Sequence, residues 1–551
     1  MKIIAATKKI QRKFFSGLNR LFISVGYSAT FILLVFFLRR GLPSVPARVL
    51  LLEHHSVPWE REGFLKSWKL ALEHALSDFN LRCVVLHLDS DMSIADAQTI
   101  RGLLKQLKAQ GKEVICYAQS IGTLGEIGIS GYYLGSCANR FYLGRSGHMM
   151  LEGMNVERLY FGKFLSSLGI QSDFVAQGQY KSGPDGFTRS DMSPQENQMM
   201  TRILACWSKQ ILQDLKNDCR LNFSDLEKGL TQLTCSAEEA KKLGWIDEVA
   251  SCWSQVKLKY TKDEITLGAE AYLKKSKNFW TWMKSKFKHR HHIAVLRIEG
   301  ELGSAAFDTQ RLCDQLINIS QNPEISAVFV LLNTPGGTSS SAEALRYGVL
   351  CCRQAGKMVT IVMESVAASG GYWIACAGKS IWAQPGTLTG SIGVYAGKFA
   401  FEKGLKTWEI GFGSVNSGAG SSESMYTSWS DDQQKRWEKI INFGYEQFIC
   451  LVSQARGMSK KKVHELSQGQ VWTGKEALEL GLVDKLGDFS QALCWARKEK
   501  GELSDLEIVD YTPGFRYSFQ WILSMLKEKV MNCFETLFVK GRKVYMLLKF
   551  A

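Results

Sequence analysis

No CxxC pair occurs among the 14 cysteines of this chain, which excludes a zinc-ribbon pattern and leaves no obvious disulfide framework. Most of the thiols, among them Cys83, Cys116 and Cys376, lie in apolar runs. They are expected as buried free thiols, with a few disulfides possible if the body lies outside the cytoplasm. Histidine is sparse, nine in 551 residues. The nine form neither an HExxH motif nor a Ser/His/Asp set, and the cluster His289, His291 and His292 reads as a solvated basic loop. No metal and no cofactor are expected. Zinc-finger spacing and RNA-binding signatures are also missing, so the net charge of +15 does not point to nucleic acid. The positive residues gather around apolar and aromatic segments, which makes membrane lipid the expected partner for them.

A membrane-length apolar run occurs once. Residues 21–38 contain no charge over 18 residues, about 27 Å of helix at 1.5 Å per residue, close to the thickness of a bilayer core. Six positive residues precede the run (Lys2, Lys8, Lys9, Arg12, Lys13 and Arg20). This predicts a single anchor with a cytoplasmic N-terminus and the body on the far side, although Arg39, Arg40 and Arg48 weaken that bias. LRRG follows it in place of a small-x-small cleavage site, so the segment is expected to be retained.

Beyond the anchor, strands and helices alternate, the mark of an α/β chain. Residues 83–88 (CVVLHL) and 113–118 read as buried strands around a helix over 95–109, and a long helix is expected over 194–215. The second half repeats this order: strands over 293–298, 327–332 and 358–363, helices over 307–317 and 341–355, and a NTPGGT turn at 333–338. SGYYLGSCANRFYLG at 130–144 matches GGYWIACAGKSIWAQ at 370–384, and LGWIDEV matches LGLVDKL at 480–486, at offsets of 240 and 237 residues. The chain is therefore a duplicated domain. The expected organisation is a basic segment (1–20), the anchor (21–38), a first repeat (41–250), a basic aromatic linker (251–292), a second repeat (293–490) and a C-terminal extension (491–551). Phe279, Trp280, Trp282 and Phe287 of the linker suit an interfacial helix or an interdomain one. The tail places apolar residues near helical spacing with lysines between, which argues against a second span.

The repeats differ where chemistry is expected. SVAASGGYWIACAGKSIWAQPGTLTGSIGV (365–394) surrounds Ser369 with Ala367, Ala368, Gly370 and Gly371, a composition that lets backbone amides face a ligand. The first repeat has Ile129 in the place of Ser369. Conversely, YKSGPDGF (180–187) aligns near VNSGAGSSES (415–424), so that Lys181 meets Gly418. One copy keeps the serine and the other the lysine, as expected if one site is built from both halves.

With YKS, PGG, ASGGYW and LTGSIG in that order after an N-terminal anchor, the chain resembles signal peptide peptidase A in its long two-domain form, and more widely the ClpP/crotonase superfamily. The resemblance implies Ser369 as nucleophile, Lys181 as general base and Ser391 as the hydroxyl orienting the lysine. It also implies an oxyanion hole of Gly336 or Gly337 with Gly370. It further implies a homotetrameric bowl on the bacterial inner membrane that hydrolyses hydrophobic peptides such as signal-peptide remnants. The chemistry requires a lysine whose pKa has fallen from about 10.4 by roughly two to three units, and the apolar Phe174, Val175, Tyr180 and Phe187 are compatible with a site that excludes water. Two alternatives stay open: a crotonase-like acyl-CoA enzyme, which also uses paired glycine amides, and a non-catalytic membrane assembly scaffold.

Overall fold

The computed structural model describes residues 48–512 apart from 54–60, 123–127, 219–222, 263, 277–290, 408, 418–423, 500 and 502–505. The expected anchor, the aromatic part of the linker, the amphipathic tail and Gly418 lie outside the described residues. Among those described, no helix is long and apolar enough to cross a membrane.

The first half contributes β1 (Val49–Leu52), β2 (Cys83–Leu88), β3 (Glu113–Ala118), β4 (Arg140–Gly144), β5 (His148–Leu151), β6 (Gln171–Gln177), β7 (Leu233–Ser236), β8 (Glu248–Ala250) and β9 (Thr266–Gly268). The second contributes β10 (His292–Glu299), β11 (Ile325–Thr334), β12 (Met358–Ala368), β13 (Ser380–Ala383), β14 (Leu388–Gly390), β15 (Val394–Ala400), β16 (Val471–Thr473), β17 (Lys485–Leu486) and β18 (Glu507–Asp510). The first sheet runs β8-β4-β3-β2-β1-β9 with every pairing parallel. The same path recurs in the second as β17-β13-β12-β11-β10-β18. The antiparallel pair β5·β7 recurs as β14·β16. Parallel strands covered on both faces are apolar throughout rather than alternating, which is why CVVLHL and ISAVFVLLNT are almost wholly buried.

Two edge strands extend the repeats past their expected ends. Thr266–Gly268, within the expected linker, pairs with β1, and Glu507–Asp510, within the expected extension, pairs with β10. Short edge strands like these carry little apolar pattern, so the sequence gives them no strong signal. None of the described cysteines forms a disulfide, and Cys83, Cys116, Cys352 and Cys376 are buried.

The helices that position the site are α1 (Arg61–Ser77), α2 (Ile94–Ala109), α3 (Ile129–Gly135), α4 (Pro194–Asp218), α5 (Ser339–Gln354), α6 (Gly370–Ala375) and α7 (Asp431–Arg456). Three contacts lock the repeats together. The first is an antiparallel ribbon in which β6 and β15 pair from Gln177↔Val394 to Gln171↔Ala400. In the second, α4 of the first repeat lies on the second: Trp207 Nε1 donates to Gly386 O at 3.1 Å, and the Arg202 guanidinium sits 3.8 Å from the Trp472 ring centroid. The third is a buried charge cluster. Lys69 of α1 reaches Asp96 of α2 at 2.6 Å and Glu364 of β12 at 3.4 Å, Arg297 of β10 approaches Glu364 at 3.5 Å, and Ser365 Oγ donates to Asp96 Oδ2 at 2.8 Å. The two carboxylates hold the Lys69 pKa above its ordinary value against the opposing effect of burial.

Candidate active site

β12 ends at Ala368, and the chain turns at once into α6 with Ser369 as its N-cap residue, at φ 54° and ψ −114°. A positive φ is uncommon outside glycine because the Cβ crowds the carbonyl. Among the described residues the non-glycine positions that adopt it are Ser369, Ser391, Glu409 and Gln468. Three of these four belong to one neighbourhood. Ser369 N donates to Gly390 O at 2.8 Å, and Ser391 N donates to Gln470 O at 2.7 Å. Such backbone persists only where surrounding contacts hold it, at about 1–3 kcal/mol per residue.

Lys181 enters this site from the other repeat. Because β6 and β15 run antiparallel, the C-terminal end of β6 at Gln177 lies beside the start of β15 at Val394. Lys181 follows the first and Ser391 precedes the second, so both are carried to the same end of the ribbon. Lys181 Nζ lies 3.0 Å from Ser369 Oγ, 2.9 Å from Ser391 Oγ and 2.9 Å from Ser391 O. The residue as a whole is half-buried, but crowding strips water from its amine without a compensating carboxylate. Its pKa falls from 10.5 to about 7. A neutral lysine amine has two N–H groups and one lone pair: the N–H groups donate to Ser391 Oγ and Ser391 O, which leaves the lone pair to accept from the Ser369 hydroxyl.

The expected glycines come to the same place. A Cβ on Gly336 would sit 2.8 Å from Ser369 Cβ and 2.9 Å from Gly370 N, so only glycine lets the two turns approach this closely. Gly336 N already donates to Thr334 Oγ1 at 3.1 Å. The amides of Gly337 and Gly370 make no hydrogen bond among the described residues, which leaves them as the available donors. Phe174 and Phe187 stack on each other at 6.2 Å and meet Phe399 edge-on. Glycines approach Lys181 closely: a Cβ on Gly393 would be 3.1 Å from Lys181 Cδ, and one on Gly469 2.5 Å from the Lys181 backbone N. The turn at residues 467–470 was not among the sequence candidates, and its only signal was Gly469 in an otherwise polar SQGQ.

A serine hydroxyl on a strained strand-to-helix turn, hydrogen-bonded to an amine of depressed pKa beside unpaired backbone amides, is the arrangement of a serine-type hydrolase. The chain belongs to Peptidase family S49, whose model matches residues 106–264 and 352–502, one stretch in each repeat and more than half of the chain. It is therefore a serine-type endopeptidase with duplicated domains, and the acyl-CoA and scaffold alternatives give way. Protease 4 of Haemophilus influenzae is 28% identical over 464 residues, covering 80% of this chain and 74% of that protein. Protease 4 of Salmonella typhi is 29% identical over 449 residues, covering 77% and 70%. A putative signal peptide peptidase SppA of Enterococcus faecium is 27% identical over 243 residues, covering 42% of this chain and 70% of its own. Among solved structures, a ClpP1 mutant from Listeria monocytogenes overlaps 38% of this chain and 98% of its own at 14% identity, with a TM-score of 0.26.

Proposed function

We propose that this endopeptidase works through a Ser-Lys dyad split between its repeats, and that it clears hydrophobic peptides, chiefly signal-peptide remnants, at a bacterial inner membrane. The observation that carries the reading is the 3.0 Å approach of Lys181 Nζ to Ser369 Oγ. Neutral Lys181 takes the Ser369 proton as Oγ bonds to the carbonyl carbon of the scissile peptide. The oxygen that gains charge is held by the Gly337 and Gly370 amides. Lys181 then gives the proton to the departing amine as the C–N bond breaks, leaving an acyl-enzyme that water hydrolyses by the same route. Ser391 keeps the lysine lone pair aimed at Ser369.

The substrate class is supported by the family and by relatives such as the putative signal peptide peptidase of Enterococcus faecium; the peptide would be taken as extended chain that pairs as an added strand with apolar side chains in neighbouring pockets. The membrane reading rests on the uncharged run at 21–38, with the body placed outside the cytoplasm, a homotetramer as the assembly, and lipid in contact with the linker and tail. The test is hydrolysis of a hydrophobic signal-peptide fragment by the detergent-solubilised protein between pH 6 and 10, wild type against Ser369→Ala and Lys181→Ala. Loss of cleavage in both, with assembly intact, is expected. Undiminished cleavage by either variant rejects the dyad, and reporter fusions that place the region after Arg40 in the cytoplasm reject the topology.

A further inference from the structure

Lys181 and Ser391 come from different repeats and flank different strands of the ribbon, yet the backbone on both sides is bound to one short turn. Tyr180 N donates to Gln468 O at 2.8 Å, and Gln179 N lies 3.4 Å from Gln468 Oε1. One residue further, Gly469 N donates to Ile392 O at 2.9 Å, and Ser391 N donates to Gln470 O at 2.7 Å. Residues 468–470 thus grip, in succession, the chain just before the lysine and the chain at Ser391 N and Ile392 O.

The grip is close enough to demand unusual backbone. Gln468 adopts φ 57° and Gly469 φ 78°. A Cβ on Gly469 would fall 2.5 Å from Lys181 N, 2.7 Å from its Cα and 2.7 Å from its Cβ, and one on Gly178 would fall 2.5 Å from Gln468 C. The turn is itself fixed from below. Ser467 is buried and donates from Oγ to Val463 O at 2.6 Å, and Trp472 Nε1 donates to Leu466 O at 2.9 Å. Gln468 Nε2 also lies 2.6 Å from His464 Nε2. A covering surface loop needs none of this: neither a left-handed glutamine nor glycine backbone pressed against a lysine.

We propose that residues 467–470 are the device that positions Lys181 against Ser369, with Gln468 and Gly469 as positioning residues that never touch substrate. The inference rests on the Ser-Lys reading above. A lysine amine ends four rotatable bonds, so its reach is set by where the backbone begins; a displacement of about 1 Å takes a 3.0 Å contact out of hydrogen-bond range. The turn holds that origin and the Ser391 acceptor in one frame, so the two cannot drift independently.

Gly469→Ala tests this beside a matched control, Gly457→Ala. Gly457 also has a left-handed backbone, at φ 65°, but a Cβ there meets nothing within 4 Å. Both variants strain the backbone, and only the first pushes on Lys181. With the detergent-solubilised full-length protein and a hydrophobic signal-peptide fragment, Gly469→Ala is expected to lower kcat about 10²-fold with KM little changed. Its pH–rate profile should move upward, towards the pKa of a solvated lysine. Gly457→Ala should keep the wild-type profile and a rate within about twofold, with a similar fall in Tm. If Gly469→Ala does not fold, the pair Gln468→Gly and Gln468→Val decides. Glycine keeps the positive φ and the carbonyl to Tyr180 and loses only the side-chain contacts, so its rate should fall far less than that of β-branched valine, which resists that backbone and should fall as Gly469→Ala does. Wild-type kcat and profile in a folded Gly469→Ala protein, beside an inactive Lys181→Ala, overturn this proposal alone, as do equal losses in the two Gln468 variants. An active Lys181→Ala overturns the dyad and the proposal together.

Discussion

The two repeats share a sheet path and a turn from strand into helix, yet only the second carries the proposed nucleophile, Ser369. Counting from the N-cap residues Ser93 and Thr338, Asp91 and Met92 of the first repeat stand where Gly336 and Gly337 stand in the second. Ile129 replaces Ser369, and Ser130 replaces Gly370. In the first repeat the Ser130 hydroxyl donates to the Asp91 carboxylate. A carboxylate there repels a developing oxyanion, and a side chain in place of Gly336 closes the gap that lets the turns meet. The difference is more than a missing serine: the first repeat carries a carboxylate where the second has a glycine, while the end of its ribbon strand leads to the lysine that reaches the other repeat.

Breaking the comparison at its centre gives the largest effect. Ser369→Ala should lower kcat/KM at least about 10⁴-fold without changing Tm appreciably. Adding Ile129→Ser to that variant should restore nothing, because Asp91 remains and, among the described residues, no lysine donates to Asp91 or Ser130. Recovered hydrolysis in the double variant would show that the repeats are still interchangeable. Next, Gly336→Ala should lower kcat about 10²-fold, since its methyl enters the space of Ser369. The equivalent change in the first repeat, Asp91→Ala, should leave kcat alone and lower stability by only about 1–2 kcal/mol through the orphaned Ser130 hydroxyl. A kinetic effect of Asp91→Ala would contradict the idea of a silent first turn.

The contact between repeats offers an intermediate effect. Lys69→Met leaves Asp96 and Glu364 facing each other in a largely buried place. It should lower unfolding stability by about 3 kcal/mol, and chemical denaturation is the measurement. A loss within experimental error would mean that the cluster is more hydrated than its geometry implies.

A pH series gives the last and most graded comparison. The folded pKa of Lys181, about 7, lies below the 10.5 expected for the unfolded chain. The folded state therefore binds fewer protons between these values, and stability rises with pH across that window. The penalty is fully present below pH 7 and gone near pH 10.5. Lys181→Met should accordingly be more stable than wild type by a few kcal/mol at pH 6, with the gain shrinking as pH climbs. A gain independent of pH would assign the effect to packing. The wild-type rate should climb through an apparent pKa near 7 for the same reason.

Residue types and their spacing were enough to read the α/β alternation, the duplication and the exchange of serine for lysine. Buried parallel strands announce themselves as apolar runs, and a repeat announces itself by self-similarity. The composition around Ser369 and the exchange with Lys181 were visible as local features, whereas the roles given to Ser369, Lys181, Ser391 and the glycine turns came from the resemblance to a known family. The sequence did not reveal the edge strands Thr266–Gly268 and Glu507–Asp510, whose few residues carry almost no pattern. Nor did it reveal the buried charges of Lys69, Asp96 and Glu364, because charged residues read as solvated until a partner is seen.

What the sequence by itself determined is thus the inventory of groups and the halves they come from. Their convergence belongs to the tertiary structure alone. The antiparallel pairing of β6 with β15 brings together residues 210 positions apart in the chain, and only the closeness of that packing drives the lysine pKa towards neutrality. Gln468 and Gly469 make the point most sharply. Their importance lies in backbone approach to another strand, a non-local distance that no single residue encodes.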